Sequence, residues 1–250
     1  MRQLKVKLTI DPPVNMLILG RASSGEGQGS LAAKPGSLTF EQAAAVPMAA
    51  VSALQGLRAG GIAPGQRVLI IGVCGGVGTF AVQIARHLRA TVTGVCSTRH
   101  VDVVRRLGAE AVIDYTTQDF TSGTARYDLA LQLGGTYSPA AIRKVLTPGG
   151  TLIQSFGDGS RWFGPVGNII KAVALNALAG QTLKSFTARV AARALTEVGD
   201  LIASGRIIPV IDRTYPLTDA AAAVNLVEQG NPAGKVIIAV RPPPPKLPPG

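Results

Sequence analysis

The sequence predicts an α/β fold, a doubly wound parallel sheet with helices on both faces. Short apolar runs that begin at Arg67, Thr91 and Ala111 alternate with stretches of helical pattern. Strands separated by helices of about 10 to 15 residues pair side by side in parallel. The 30 glycines and the 46% hydrophobic content suit this fold, because glycine punctuates its turns and aliphatic side chains fill its core.

The regular elements begin at Thr39, which is predicted to start a helix because Gln42 follows three residues later, as in a capping box. Pro47 ends this helix, and a second helix runs to about Gly60. The strands predicted after it are Arg67–Ile71, Thr91–Cys96, Ala111–Asp114, Tyr127–Leu133, Thr151–Phe156, Thr182–Phe186, Ile208–Arg213 and Lys235–Val240. The helices predicted among them include Val77–Leu88, Val101–Leu107 and Pro139–Leu146, the last of these followed by a turn at Pro148–Gly150.

Composition divides the chain into four parts. Residues 1–30 form an irregular N-terminal segment that ends in a stretch of linker composition, and residues 31–60 form a helical link. Residues 61–240 make up the α/β domain. Residues 241–250 contain six prolines and are expected to form an extended, disordered tail.

Cysteine and histidine are scarce in this chain. Cys74 and Cys96 form no disulfide framework, and together with His87 and His100 they lack the spacing of a metal site. We expect two small buried hydrophobes, two imidazoles on helix surfaces, and no bound metal. Unpaired thiols also favour a reducing, cytoplasmic location.

The net charge of +11 raises the possibility of a nucleic-acid or membrane partner. The charges are scattered, apart from Arg105-Arg106 and residues 1–7, and no aromatic residues are interleaved with them. A nucleic-acid-binding face would cluster its charge, so we expect no nucleic-acid partner. No run of 18 apolar residues occurs, and the most apolar stretch, 163–179, contains Lys171 and is predicted to be a buried or amphipathic helix. We therefore expect no membrane partner.

A glycine-rich turn follows the first strand of the domain. Gly72, Gly75 and Gly78 form a GxxGxxG variant between a strand and a helix. A Cβ in such a turn would hold the backbone away from a pyrophosphate, and the helix N-terminus offers unpaired N–H groups to it. The pattern predicts a Rossmann-type dinucleotide-binding domain. The alternative is a closely packed turn without a ligand.

The end of the second strand indicates which dinucleotide binds. An NAD-binding fold places Asp or Glu there to hold the ribose 2′-hydroxyl. Here Ser97, Thr98 and Arg99 occupy the position, and Asp102 comes a turn later, so no acid is expected to repel a phosphate. Two hydroxyls and a guanidinium can bind a 2′-phosphate, which favours NADPH as the cofactor. Alternatively, Ser97 or Thr98 serves only as the N-cap of the next helix.

Several stretches in the same order resemble the medium-chain dehydrogenases/reductases, in their zinc-free, quinone-oxidoreductase-like branch. They are LAAKPGSLTFEQAAAVPMAAVSALQGL, GVCGGVGTFAVQIA, VTGVCSTRHVDVVRRLGAEAVIDY, VIDRTYPL and GKVIIAV. The resemblance spans about residues 31–240. It implies NADPH-dependent reduction of quinones, enones or other activated carbonyl compounds, by hydride transfer in a cleft between two domains.

The resemblance also implies a set of cofactor contacts. These are Ser52 near the nicotinamide, Gly75, Gly76, Val77 and Gly78 at the pyrophosphate, Ser97, Thr98 and Arg99 at the 2′-phosphate, Tyr115 near the adenosine, and Lys235. Tyr115 also fits a partly exposed aromatic residue at the end of a strand. Gln132 departs from the family pattern, since related chains commonly carry Asp at this position.

In the same family a mainly β, GroES-like domain forms most of the substrate pocket. Residues 1–30 do not resemble it, so we expect the chain to lack most of that domain. Two functional hypotheses follow: an NADPH-dependent reductase with impaired turnover, or a catalytically silent NADPH-binding module. The expected partners are a small-molecule substrate and a second copy of the chain, paired through the strand Thr182–Phe186.

Overall fold

The computed structural model describes residues 16–18, 31–155, 180–230 and 232–240. The strands are β1 (Met16–Ile18), β2 (Leu31–Ala33), β3 (Arg67–Ile71), β4 (Thr91–Cys96), β5 (Ala111–Asp114), β6 (Tyr127–Gln132), β7 (Leu146–Ser155), β8 (Thr182–Phe186), β9 (Ile211–Pro216) and β10 (Lys235–Ala239). The α-helices are α1 (Phe40–Ala45), α2 (Pro47–Ala59), α3 (Gly78–His87), α4 (Val101–Arg106), α5 (Pro139–Arg143), α6 (Ala192–Ala203) and α7 (Ala220–Glu228). Short 3₁₀ turns occupy Thr98–His100, Phe120–Ser122 and Leu217–Asp219.

A six-stranded sheet forms the centre of the described chain, in the order β5-β4-β3-β6-β7-β8. All of its neighbouring strands run parallel. From β3 the chain winds to β4 and β5 on one side, then crosses back to β6, β7 and β8 on the other. This reversal on either side of β3 confirms the predicted Rossmann-type, doubly wound α/β fold.

Both faces of the sheet are covered, as the alternating side chains of β3 show. Val68 and Ile70 belong to a core that includes residues of α2, α3 and α6. Leu69 and Ile71 belong to a second core on the opposite face, with Ile142 of α5. All four side chains are buried, which is the pattern of a central parallel strand.

The start of the helical link matches its sequence pattern. The hydroxyl of Thr39 accepts a hydrogen bond from the N–H of Gln42 at 3.2 Å, and the Gln42 side chain accepts one from the N–H of Thr39 at 3.0 Å. This capping box begins α1, and Pro47 begins α2 as predicted. The N-terminal segment contains an element that was not predicted, because β1 pairs antiparallel with β2. The predicted helix at 163–179 and the proline-rich tail lie outside the described residues.

The predicted turn at Pro148–Gly150 does not separate a helix from a strand. Helix α5 ends at Arg143, earlier than predicted, and β7 already starts at Leu146, which pairs with Tyr127. Gly149 has a φ of +85°, and the ladder with β6 is irregular here. The glycines thus form a bulge within a longer strand, since a local positive φ can be absorbed without ending the pairing.

The predicted strand Ile208–Arg213 is shifted, and it does not join the central sheet. Strand β9 starts at Ile211 and pairs in parallel with β10 in a separate two-stranded sheet. The reason lies at Ile208, whose N–H donates to Oε1 of Gln83 at 2.8 Å and whose carbonyl accepts from Nε2 of Gln83 at 3.0 Å. The side chain of Gln83 on α3 is therefore hydrogen-bonded to the backbone N–H and carbonyl of Ile208, which a strand would need for pairing with its neighbour.

The predicted surface position of His100 is wrong. His100 is buried, at 7% exposure, whereas His87 is exposed as expected. His100 ends the 3₁₀ turn after β4, where the chain passes against the core before α4 begins. Among the described residues, no helix is long and apolar enough to cross a membrane.

Candidate dinucleotide-binding site

The glycine turn lies at the carboxyl end of β3, where the winding of the sheet reverses. Gly72 has a φ of +82°, and its N–H donates to the carbonyl of Val95 on β4 at 3.2 Å. A Cβ on Gly72 would lie 3.0 Å from the backbone nitrogen of Gly134, which follows β6. Glycine is needed here for both the backbone conformation and the close approach of the two strand ends. Such a crevice is where open α/β sheets bind their ligands.

Gly78 and Gly75, the other glycines of the motif, differ in whether a side chain would fit at their positions. A Cβ on Gly78 would collide with the carbonyl oxygens of Gly72 and Val73, so the packing of α3 against β3 requires this glycine. A Cβ on Gly75 would meet only the carbonyl oxygen of Gly72, at an ordinary 3.5 Å. The fold itself therefore does not require glycine at position 75. Its bare backbone leaves an open face beside the start of α3.

Helix α3 begins at this face without a capping bond from the side chain of its N-cap residue. Val77 is its N-cap residue and makes no side-chain capping bond. The helix runs for ten residues from Gly78, so its N–H groups and dipole present a partial positive charge to the turn. An open glycine and an uncapped helix N-terminus fit the phosphates of a dinucleotide.

Lys235 brings a cation to the same turn. A Cβ on Gly76 would stand 2.5 Å from Cδ of Lys235, so the lysine stem lies against the glycine. The backbone on both sides is fixed, because the N–H of Gly234 donates to the carbonyl of Cys74 at 2.8 Å, and Gly234 pairs with Gly75. Burial lowers the pKa of Lys235. The predicted pyrophosphate residues 75–78 and Lys235 are thus brought together.

Ser97, Thr98 and Arg99 follow β4 at the same edge of the sheet. Ser97 is nearly buried, while Thr98 and Arg99 are exposed. Burial raises the pKa of the Cys74 thiol, and a backbone hydrogen bond and the positive charge of Arg99 partly offset this. Ser97 is the N-cap residue of the 3₁₀ turn but makes no side-chain capping bond, and the N-cap residue of α4 is His100.

An acidic group stands beside this segment, contrary to the expectation from the sequence. The Thr98 hydroxyl donates to Oδ2 of Asp114 at 2.5 Å. Asp114 ends β5 and lies directly beside Cys96 in the parallel register. The chain has no acid at the end of β4 itself, but the neighbouring strand supplies one in space. Thr98 is therefore already bonded, and it is not a free donor.

Two further predicted residues lie in different surroundings. Tyr115 is 51% exposed, and its N–H donates to the carbonyl of Cys96 at 3.0 Å, which holds it at the end of β4 near Ser97. Ser52 is buried in the middle of α2. No hydrogen bond within the described residues joins it to the glycine turn, so its place at the nicotinamide stays a prediction.

Gln132 ends β6 next to the turn and organises the loop that follows. Its Nε2 donates to the carbonyl of Tyr137 at 3.0 Å, and its Oε1 accepts from Nε2 of Gln154 at 2.7 Å. Both glutamines are buried. An aspartate here would lose the donor to Tyr137, and its buried charge would need compensation. The departure from the family pattern thus comes with its own hydrogen-bond partners.

Comparison with known proteins identifies the family of this chain. The family model described as zinc-binding dehydrogenase matches residues 107–238, more than half of the chain. The chain belongs to the zinc-binding dehydrogenase family. Within it, the chain is a quinone-oxidoreductase-like member of the medium-chain dehydrogenases/reductases.

Three known proteins illustrate the relationship. The mitochondrial NAD(P)H oxidoreductase RTN4IP1 of Bos taurus is 33% identical over 229 residues, covering 83% of this chain and 57% of its own length. The 2-methylene-furan-3-one reductase of Solanum lycopersicum is 30% identical over 216 residues, covering 83% and 49%. The structure of the quinone oxidoreductase from Coxiella burnetii matches with a TM-score of 0.75 and 28% identity, covering 84% of this chain and 64% of that one. The chain spans about half the length of the curated relatives it matches.

The name of this zinc-binding dehydrogenase family raises the question of a metal. Cys74 lies in the glycine turn, Cys96 and His100 lie at the end of β4, and His87 is at the far end of α3. Across the ranges that the structure describes, no group of three or more His, Cys, Asp or Glu side chains could hold a metal ion. These residues do not fit a zinc site, which needs at least three protein ligands.

Sequence reasoning missed several residues of this candidate site. Gly134 meets Gly72, Gly234 meets Gly75, and Asp114 binds Thr98. Asp114 and Gly134 could have been found from the sequence. Asp114 ends a predicted strand and Gly134 follows one, and the carboxyl ends of parallel strands lie at one edge of the sheet. Gly234 lies outside the central sheet, and no sequence pattern placed it at the turn.

Proposed function

We propose that the chain is an NADPH-dependent oxidoreductase that reduces quinones, enones or other activated carbonyl compounds. The observation that carries the proposal is the open glycine face at Gly75, beside the uncapped N-terminus of α3 and the stem of Lys235. This combination suits a pyrophosphate, and it lies where the winding of the sheet reverses. Membership of an oxidoreductase family supports the same conclusion.

The cofactor supplies a hydride when bound, and the protein supplies position and charge. The N–H of Gly78 at the start of α3 and the ammonium of Lys235 would hold the pyrophosphate, whereas the N–H of Thr79 already donates to the carbonyl of Gly75 at 3.0 Å. Tyr115, exposed at the end of β5, would cover the adenosine. Backbone bonds to Val95, Cys96 and Cys74 hold the backbone that carries these groups, so little ordering of the backbone is left for binding.

The preference for NADPH over NADH depends on Arg99 and Ser97. Arg99 is exposed, and its charge acts on Cys74 of the glycine turn, so its guanidinium is the proposed partner of a 2′-phosphate. The Ser97 hydroxyl lies at the very end of β4, the usual site of ribose recognition. Asp114 acts against this preference, so we propose a moderate rather than an absolute choice of NADPH.

The acceptor class is inferred from the named relatives. A quinone oxidoreductase and a 2-methylene-furan-3-one reductase both act on a carbonyl conjugated to a carbon–carbon double bond. We further propose that no zinc assists the reaction, because the described residues do not fit a metal site. The polarity of the site would then come from backbone dipoles and cations.

The direct test is titration of the full chain with NADPH and NADH, followed by oxidation of NADPH in the presence of a simple benzoquinone and of an enone. Tighter binding of NADPH together with quinone-dependent oxidation is the expected result. Binding without oxidation would instead identify a cofactor-binding module that is catalytically silent. Failure to bind either dinucleotide would overturn the proposal.

We also propose a homodimer and a reducing compartment such as the cytoplasm. Strand β8 is an outer strand of the described sheet, and we propose that a second copy pairs beside it. Cys74 and Cys96 are both free thiols. Thiols that stay reduced suit an environment kept reducing by glutathione and thioredoxin.

A further inference from the structure

Asp114 is the centre of a compact hydrogen-bond cluster at the end of β5. Its Oδ2 accepts from the hydroxyl of Thr98 at 2.5 Å. Its Oδ1 accepts from the hydroxyl of Thr116 at 2.7 Å and from the N–H of Thr116 at 2.9 Å. The two threonine oxygens are 2.9 Å apart. Three donors thus converge on one carboxylate.

The number of hydroxyl protons in this cluster limits the hydrogen bonds that it can donate to a ligand. A threonine hydroxyl has a single proton to donate. Thr98 gives its proton to Asp114, so toward a phosphate it presents only lone pairs. The hydrogen bonds of Thr98 and Thr116 hold the pKa of Asp114 below its usual range, so the carboxylate is charged at neutral pH.

We propose that Asp114 is a selectivity-determining residue that weakens the recognition of a 2′-phosphate, by holding the Thr98 proton and by placing a negative charge at the end of β4. This inference rests on the proposed function, since it concerns how the same site chooses between NADPH and NADH. It assigns the phosphate to Arg99 and Ser97 and removes Thr98 from the set of donors.

Asp114→Asn separates the two roles of the carboxylate. The amide is close to the same shape and can donate from Nδ2 to the oxygen of Thr98, which keeps the two strand ends joined. The change removes the negative charge and frees the Thr98 proton for a phosphate. Both effects favour NADPH, whereas NADH has no phosphate at this position and should bind much as before.

Asp119→Asn is a matched control within the same chain. Asp119 also accepts from the N–H and the hydroxyl of a threonine two residues later, at 2.9 Å and 2.7 Å to Thr121. Its pKa is lowered by the same kind of hydrogen bond. It caps the 3₁₀ turn Phe120–Ser122 and makes no bond to Thr98. The control therefore removes an equal charge from an equivalent motif.

The experiment measures the dissociation constants of NADPH and NADH for the full-length wild type, Asp114→Asn, Asp119→Asn and Thr98→Val at low and high salt. We expect Asp114→Asn to raise the preference for NADPH by at least about fivefold. Part of the gain should disappear at high salt, because salt screens the removed charge. Asp119→Asn should leave the preference unchanged.

Thr98→Val tests the assignment of the proton. If the hydroxyl is committed to Asp114, its loss should change NADPH affinity by no more than about twofold, below the roughly tenfold loss expected for a charge-assisted donor. A tenfold loss would show that Thr98 binds the phosphate and would overturn the inference. An unchanged or lower NADPH preference in Asp114→Asn would overturn it too, while the proposed function would stand on wild-type binding. A wild type that binds neither dinucleotide would overturn both.

Discussion

Lys235 lies against Gly76, so the last strand of the described chain is in contact with the turn that follows the first strand of the central sheet. The contact is close enough that a Cβ on Gly76 would stand 2.5 Å from Cδ of Lys235. Because burial disfavours the charged amine, a bound pyrophosphate would compensate a cost that the free protein carries. The role proposed for Lys235 thus differs from that proposed for Arg99, and the two can be separated by substitution.

Lys235→Gln should weaken NADPH and NADH equally. The lysine is next to the pyrophosphate turn, which the two dinucleotides share, so the ratio of their dissociation constants should stay at the wild-type value. The loss should be about tenfold for each, as for one charge-assisted contact. Calorimetric titration of both dinucleotides measures it. A selective loss of NADPH would place Lys235 at the 2′-phosphate instead.

Arg99→Ala, in contrast, should change the ratio of the dissociation constants of NADPH and NADH. We expect NADPH to bind about tenfold more weakly, while NADH is nearly unaffected, because only NADPH carries the 2′-phosphate. Arg106→Ala is the control, since Arg106 is also exposed but lies at the end of α4. Equal binding of the two cofactors by the wild type would contradict the assignment.

Cys96 should make stability fall at alkaline pH. Burial, together with the nearby Cys74 and Asp114, raises the pKa of its thiol to about 11, from an ordinary value of 9.0. A raised pKa means that the folded state favours the protonated thiol. The contribution is therefore complete below pH 9.0 and is lost as the pH rises through about 11.

The measurement is chemical denaturation of wild type and Cys96→Ala across this range. Other groups titrate there in both proteins, so the comparison uses the difference between the two free energies of unfolding. That difference should shrink as the pH rises from 9.0 toward about 11. A constant difference would mean that the folded and unfolded thiols titrate alike.

The edge strand β8 should mediate dimerisation. Ser185→Asp places a charge on an exposed position of this strand, where a symmetric partner would bring the same charge close. We expect the wild type to scatter light as a dimer at micromolar concentration and the variant to shift toward monomer. Thr124→Asp, in an exposed loop, is the control. A monomeric wild type would rule out this interface.

The sequence predicted the central sheet well, because its elements are specified locally. Strands β3, β4 and β5 match their predicted ends, since short apolar runs bounded by turns leave little choice of boundary. The glycine turn was likewise predictable, because its spacing and its place between strand and helix are both visible in the chain. These features need no knowledge of long-range contacts.

The parts that escaped prediction depend on contacts between distant segments. The side chain of Gln83 is hydrogen-bonded to the backbone N–H and carbonyl of Ile208, so β9 starts later than predicted. His100 is buried by the path of the chain after β4. Asp114 enters the site from a neighbouring strand, and its effect on Thr98 appears only when strand order and register are known. Local pattern cannot supply such pairings.

Gly75→Ala tests the central claim, that the glycine turn is open in order to accept a dinucleotide. An alanine here fits the free protein, because its nearest neighbour would be the carbonyl oxygen of Gly72 at 3.5 Å. Its stability should stay within about 0.5 kcal/mol of the wild type. Gly36→Ala, with nothing within 4 Å of the added Cβ, is the matched control for glycine replacement.

The decisive measurement is the dissociation constant of NADPH for folded Gly75→Ala. The account predicts a loss of at least about tenfold, ~1.4 kcal/mol, because the methyl group occupies the face that a phosphate must approach. Gly36→Ala should bind as the wild type does. Wild-type affinity in folded Gly75→Ala would mean that the turn is only a closely packed connection, and the account would fail.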